Sequence, residues 1–298
     1  MSLAEGPPDL PYPKLPFWDA VSLSYSTYFR HFADSLRASW IWLIVVAAFT
    51  GYASWQQWSW VGTFMTSLKP GVTPGVKHQP LELAVLSNVN HVLLLFAGVS
   101  IAVAWHRLMI LSESPAVSGS NVMTKDLWRY TGMAIALFLI LFLPAEAVLL
   151  STSFFFEQSP RGPLPPPPGF FALLLLGFVL YAVGTAVMLR LTLLLPARAI
   201  GDTNLTFKQT WNRTRGNIWR LFWGVFVTTV PLLLIVQIAF VLVMPPLIPG
   251  MAGENVAARM TAFSTISMVL YLLIVPIGIG FLSHAYRHFF QAPLELRE

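Results

Sequence analysis

Six long apolar stretches joined by shorter polar segments constrain the fold of this chain most strongly. They lie at about residues 38–58, 83–110, 128–155, 170–195, 219–244 and 257–284. A helix needs roughly 20 apolar residues to cross a bilayer, and each stretch is long enough. Only 10% of the residues are charged, against about 25% in soluble domains. We therefore predict an all-α integral membrane protein with six transmembrane helices in one membrane domain, residues 1–298.

Basic residues are distributed unequally between the two sides of these predicted spans. Of the 18 Lys and Arg residues, four fall on the side of the first, third and fifth connections, and the other fourteen fall on the opposite side with both termini. The four are Lys69, Lys77, Arg161 and Arg259. Because cytoplasmic segments carry the excess of Lys and Arg, we predict that both termini are cytoplasmic. The first residues have no basic n-region, so we expect no cleaved signal peptide.

Aromatic and aliphatic residues recur at three- or four-residue spacing before the first, third and fifth spans. The positions are Val21, Tyr25, Tyr28, Phe32 and Leu36; Met123, Leu127 and Tyr130; and, more loosely, Phe207, Trp211 and Ile218. This spacing gives a helix one apolar face. We predict that an amphipathic interfacial helix precedes each pair of spans, with its apolar face in lipid; a helical extension of each span is the alternative. Thr206 and Gln209 would form a capping box for the last of the three, and Pro196 would close the fourth span.

Arginines at matching positions indicate an internal repeat. Arg37, Arg129 and Arg220 open spans one, three and five at intervals of 92 and 91 residues, and Arg107, Arg190 and Arg287 close spans two, four and six. Each opening-to-closing interval suits two crossings and a short outer loop. The chain is thus predicted to contain three helical hairpins, at 17–110, 121–195 and 205–290.

The stretch RTRGNIWRLFWG, residues 213–224, concentrates arginines and tryptophans beside a long apolar run. Arginine and tryptophan are both typical of membrane–water interfaces. We therefore predict a set of interface anchors facing anionic phospholipids, and no nucleic-acid binding. The anchors are Arg37, Arg107, Arg129, Arg190, Trp211, Arg213, Arg215, Trp219, Arg220 and Arg287.

The segments LLLPARAI, at residues 193–200, and WNRTRGNIWRL, at 211–221, resemble bacterial multi-pass proteins related to the glycerophosphodiester phosphodiesterase membrane domain. In that family a similar pattern joins two membrane hairpins. The resemblance covers about thirty residues and implies a multi-pass protein of the bacterial inner membrane. Some relatives carry a phosphodiesterase domain, for which this chain has no room, so that activity is not expected here.

Polar residues inside the apolar stretches define a candidate intramembrane layer. It consists of Asn88, Asn90, His91, Glu146, Gln237, Ser264 and Thr265, with Ser267 nearby. Interhelical hydrogen bonding accounts for such groups in many membrane proteins. A carboxylate in a span is costlier and is kept for function more often. We expect Glu146 to face the bundle interior near His91, beside a kink at Pro144.

Motifs for catalysis and cofactor binding are missing. His284 and His288 stand four residues apart, with His106 on the same side, but no carboxylate or cysteine stands at metal-site spacing. The glycines fit neither a nucleophile elbow nor a phosphate loop. We therefore expect no enzyme activity, no metal and no cofactor.

Two functional classes remain. The first is a non-catalytic membrane protein that organises lipid or holds a membrane-protein partner. The second is a small permease or lipid-handling transporter that uses the polar layer around Glu146. A continuous polar route across the bilayer would distinguish the second class, and the inner halves of the spans show no second layer. The sequence favours the first class.

Overall fold

The computed structural model describes residues 14–67, 79–114, 124–157, 169–243 and 254–291. Every regular element in those ranges is helical. In chain order they are α1 (Phe17–Arg30), α2 (Phe32–Ser67), α3 (Leu81–Leu111), α4 (Lys125–Glu157), α5 (Phe170–Leu191), α6 (Leu194–Ala199), α7 (Phe207–Arg213), α8 (Ile218–Val243), α9 (Glu254–Tyr286) and a π-helical turn (Arg287–Gln291).

Five helices in the described residues are long and apolar enough to cross a membrane. They are Phe32–Phe64, Leu81–Leu111, Phe170–Leu191, Ile218–Ile238 and Val256–Gln291. In lipid, a helix satisfies its backbone hydrogen bonds internally, which suits these apolar sequences. α4 has 33 residues and continues through Pro144. The all-α prediction is thus confirmed for the described chain, and so are five of the predicted apolar helices.

Neighbouring long helices pack in pairs. α2 contacts α3, α4 contacts α5, and α8 contacts α9, while α9 also lies along α2. At Gly51 of α2, an added Cβ would lie 3.4 Å from the Thr265 hydroxyl of α9, so the two helices approach closely there. The largest cluster of buried side chains draws on α1, α4, α5, α6, α8 and α9. The core therefore lies toward the end of the bundle that contains α6 and α7.

α1 differs from the predicted interfacial helix in the direction of its apolar face. Val21 and Tyr28 are buried in the protein. The Tyr25 hydroxyl donates to the Val227 carbonyl at 2.9 Å, and the Tyr28 hydroxyl donates to the Leu273 carbonyl at 2.8 Å. Burial raises the pKa of both tyrosines, which keeps them protonated as donors. The prediction that this face lies in lipid is wrong for these residues, because the hydroxyls of Tyr25 and Tyr28 donate hydrogen bonds to backbone carbonyls of α8 and α9.

The opposite face of α1 is the exposed one. It carries Trp18, Leu23 and Phe29. Both faces of the helix are therefore partly apolar, and spacing alone could not distinguish them. The face that packs against the rest of the protein is the one whose tyrosine hydroxyls donate hydrogen bonds to α8 and α9.

The two later lead-in segments also depart from the pattern. In the described residues no separate helix precedes α4, because Leu127 and Tyr130 already belong to α4 and are buried; Met123 lies outside these residues. α7 has only seven residues, but the predicted capping box of Thr206 and Gln209 is present. α5 ends at Leu191, and Pro196 lies inside α6 rather than at the end of the span. Proline cannot donate to the Thr192 carbonyl, which favours a break just before α6.

Candidate functional site

Most of the predicted anchor residues gather at one end of the bundle, which we call the basic end. It comprises the C-terminal ends of α3, α5 and α9, the N-terminal ends of α1, α4 and α8, and all of α6 and α7. Arg107 illustrates how it is built. Its guanidinium pairs with Glu113 at 2.8 Å and with Asp126 at 3.1 Å, and donates to the Ala199 carbonyl at 3.4 Å. One side chain thus connects α3, α4 and α6.

Two further arginines donate to backbone carbonyls far away in the sequence. Arg213 donates to the Phe289 carbonyl at 2.9 Å, and Arg220 donates to the Leu15 carbonyl at 2.6 Å. The buried Asn217 side chain accepts from the Leu15 N–H at 2.8 Å. Hydrogen bonds from a charged donor are among the stronger ones. These predicted lipid anchors therefore also fasten α7 and α8 to the two ends of the described chain.

The loop between α6 and α7 is held in a similar way. Arg198 donates to the carbonyls of Asp202 and Leu205. The Tyr286 hydroxyl donates to the Asp202 carboxylate at 3.2 Å, and the Asn204 N–H donates to its other oxygen at 2.9 Å. Sequence reasoning missed Arg198 because it matched no spacing rule. Each oxygen of Asp202 thus accepts one hydrogen bond, and the bond from Tyr286 ties this loop to α9.

Arg190 lies flat on an indole. Its guanidinium carbon is 3.6 Å from the centre of the Trp211 ring. Its Nε donates to the Thr214 hydroxyl at 3.1 Å, and its Nη2 donates to the Trp211 carbonyl. Arg215 is exposed and directly follows Thr214, the residue whose hydroxyl accepts from Arg190. The basic end thus has two arginines at the contact between α5 and the turn after α7.

The remaining predicted anchors lie nearer the surface. Arg129 is 3.6 Å from Asp126, and Arg37 and Arg287 are exposed. Exposed indoles occur at the starts of α1, α4 and α8 and within α7. They are Trp18, Trp128, Trp219 and Trp211. The basic end therefore combines arginines with a set of exposed tryptophans.

The predicted polar layer is only partly assembled. The Thr50 hydroxyl donates to the Asn90 side chain at 2.9 Å, which links α2 to α3. The Asn88 amide donates to its own helix at the Ala84 carbonyl. Thr265 likewise donates to its own helix, at Thr261. Ser264 and Ser267 are half-buried.

The charged and strongly polar members of that layer lie at the surface of the single chain. Glu146, His91 and Gln237 are exposed, as is Asn88. Among the described residues, Glu146 makes no hydrogen bond or ion pair, with His91 or with any other group. The structure thus does not bring Glu146 and His91 together.

A buried polar pair near the basic end was not predicted as a site. His106 and Ser283 are both completely buried, and His106 Nδ1 lies 2.8 Å from the Ser283 hydroxyl. That hydroxyl also donates to the Ile279 carbonyl at 3.0 Å. A serine has one hydrogen to donate, which assigns the donor role to Nδ1 of the imidazole. His106 Nε2 is buried without a hydrogen-bond partner.

The described residues contain no group of three His, Cys, Asp or Glu side chains placed to hold a metal ion. Comparisons of the chain with protein families, with curated proteins and with solved structures found no match. The functional argument therefore rests on the geometry of the basic end.

Proposed function

We propose that this chain is a non-catalytic multi-pass protein of the bacterial inner membrane that organises lipid or holds a membrane-protein partner. In this proposal α4 also crosses the membrane, as the third of six spans, the spans form three hairpins, and both termini face the cytoplasm. Family membership, as the resemblance at residues 193–221 implies, belongs to the same proposal. The observation that carries it is the basic end, where exposed tryptophans occur together with several arginines that have no carboxylate partner among the described residues.

The physical argument begins with charge. In the described part of the chain, Arg190, Arg198, Arg215 and Arg220 have no ion pair. Uncompensated positive charge at the ends of apolar helices suits the phosphates of an anionic leaflet. Exposed indoles are also typical of the headgroup region of the membrane, because most of the ring is apolar while the N–H can be hydrated. Lipid contact therefore accounts for both residue types together.

The exposed positions of Glu146, His91 and Gln237 also bear on the permease alternative. A transport route needs polar groups that face one another or a water-filled cavity. These three side chains lie at the outside of the described chain instead. That arrangement favours a protein that contacts lipid or a partner through its surface.

A flux assay tests the proposal. We expect liposomes containing the full chain to pass protons and small solutes no faster than protein-free liposomes. We also expect anionic lipids to raise the unfolding midpoint of the detergent-solubilised protein more than zwitterionic lipids do. A flux that Glu146→Gln abolishes, and that Glu82→Gln leaves intact, would replace this proposal with a permease. Glu82 is a suitable control because it is an exposed carboxylate near the start of α3.

A further inference from the structure

Arg190 is fixed in place before any ligand arrives. The Trp211 indole, the Trp211 carbonyl and the Thr214 hydroxyl hold its guanidinium on three sides. Stacking on an aromatic face and forked hydrogen bonding both restrict the side chain. Its Nη1 has no hydrogen bond to any described residue. Two donors of a preorganised guanidinium thus stay available, and preorganisation lowers the entropic cost of binding.

Arg215 adds a second cation beside it. The residue follows α7 and precedes Gly216, whose φ of 77° turns the chain toward α8. A left-handed φ of this kind favours glycine. The Arg215 guanidinium is exposed and makes no hydrogen bond or ion pair in the described chain. Because Arg215 directly follows Thr214, whose hydroxyl accepts from Arg190, the turn between α7 and α8 brings the backbone of Arg215 to the contact with Arg190.

The charges in this region are strongly unbalanced. Between residues 190 and 223 the sequence has six basic residues and one acidic residue, Asp202. Neither Arg190 nor Arg215 makes an ion pair with a described residue. An anion bound between the two guanidinium groups would be attracted by both.

We propose that Arg190 and Arg215 form a specific binding site for the phosphate group of an anionic membrane lipid, with Trp211 and Trp219 at its apolar border. Guanidinium groups match the oxygens of a phosphate in geometry and charge. Trp219 lies in the first turn of the apolar helix α8, along which acyl chains would continue away from the headgroup, and Trp211 lies in α7 against Arg190. This inference rests on the proposed membrane placement, and it commits to lipid rather than free phosphate for that reason.

Native mass spectrometry of the full-length protein tests the site. The protein is titrated with phosphatidylglycerol, with phosphatidylcholine of the same acyl chains, and with inorganic phosphate. We expect phosphatidylglycerol to bind about tenfold more tightly than phosphatidylcholine, and Arg215→Gln to weaken phosphatidylglycerol binding by about tenfold. Arg190→Lys keeps the positive charge but removes the forked guanidinium and its stacking on the Trp211 ring, so it should also weaken phosphatidylglycerol binding. Circular dichroism and gel filtration check that each variant is folded.

Arg30→Gln is the matched control, because it removes the same charge from an exposed arginine in the last turn of α1 that is not one of the predicted anchors. We expect it to change lipid affinity by less than about twofold. Equal losses for Arg30→Gln and Arg215→Gln would mean diffuse attraction and would overturn the site, although the proposed function would survive. Unchanged binding by Arg215→Gln would overturn it as well. Competition by inorganic phosphate at the concentration of the lipid would overturn the assignment to lipid.

Discussion

At the scale of single residues, the buried pair of His106 and Ser283 makes a prediction about stability. Ser283→Ala leaves the Nδ1–H of His106 buried without its acceptor, while the added cost of a small cavity is slight. An unsatisfied buried polar group typically costs about 1–3 kcal/mol. We expect a loss of that size in the free energy of unfolding, measured by denaturant titration in detergent micelles.

The double variant separates the hydrogen bond from other effects. In His106→Phe with Ser283→Ala, neither partner remains, so the loss should be smaller than the sum of the two single losses. Ser26→Ala removes an exposed serine hydroxyl from α1 and should stay within about 0.5 kcal/mol. Strict additivity of the two single changes would contradict an energetic link between His106 and Ser283.

The arginines show what residue patterns could and could not predict. Their clustering at one end follows from hydropathy and the positions of Arg107, Arg190 and Arg220 in the sequence. Their partners do not follow, because the Leu15 and Ala199 carbonyls become available only when distant elements meet. Sequence spacing gives the position of a side chain along a helix, whereas its acceptor depends on the packed structure.

At the scale of elements, α8 and α9 depend on one glycine for their contact. A Cβ added to Gly224 would overlap the ring of Phe281, which is completely buried. Alanine gains up to about 1 kcal/mol over glycine in a helix, but overpacking costs about 1–3 kcal/mol. We expect the steric cost to prevail, so that Gly224→Ala lowers the free energy of unfolding in micelles.

Gly132→Ala provides the control for that experiment. Gly132 lies inside α4, is exposed, and has nothing within 4 Å of an added Cβ. Gly132→Ala should therefore raise the free energy of unfolding, through helix propensity alone. Phe281→Leu should recover part of the loss in the Gly224→Ala background. A stable Gly224→Ala protein with no need for this second change would show that the helices are less closely packed than the structure indicates.

Local signals predicted some element boundaries and not others. The capping box of Thr206 and Gln209 was predicted correctly because both bonds form within one helical turn. The lead-in to α4 was not, since an amphipathic period also fits the first turns of a long helix, where Leu127 and Tyr130 pack into the core. Likewise, period alone could not show that Tyr25 and Tyr28 turn toward α8 and α9.

At the scale of the whole molecule, apolar length is the most informative property of this sequence. It predicted six spans, and the described residues contain five helices that are long and apolar enough to cross a membrane. It could not predict that Glu146 is exposed, because depth in a span says nothing about which side of the helix faces neighbours. Whether polar residues at one depth meet depends on the rotational orientation of each helix about its axis, and that orientation is determined by packing.

The absence of cysteine from the chain allows a direct test of the proposed topology, since each introduced thiol is then the only one in the protein. The excess of Lys and Arg on one side predicts that this side stays in the cytoplasm. We expect a membrane-impermeant maleimide to label Thr73→Cys, Ser159→Cys and Ala252→Cys in intact spheroplasts. Ser26→Cys, Ser120→Cys and Thr203→Cys should react only after lysis.

The Ser159→Cys result decides whether α4 is a span, because among the six cysteine variants it alone reports on the connection between α4 and α5. Reporter fusions after Lys69, Arg161 and Glu254 should give an outside signal, and fusions after Ser120, Asp202 and Glu298 a cytoplasmic one. Labelling of Ser159→Cys only after lysis, with Ser120→Cys and Thr203→Cys unchanged, would place both ends of α4 and both ends of α5 inside and leave four spans. Reversal of all six cysteines would instead keep the spans and invert the protein. The basic end would then face outward, away from the cytoplasmic leaflet on which the lipid proposal depends.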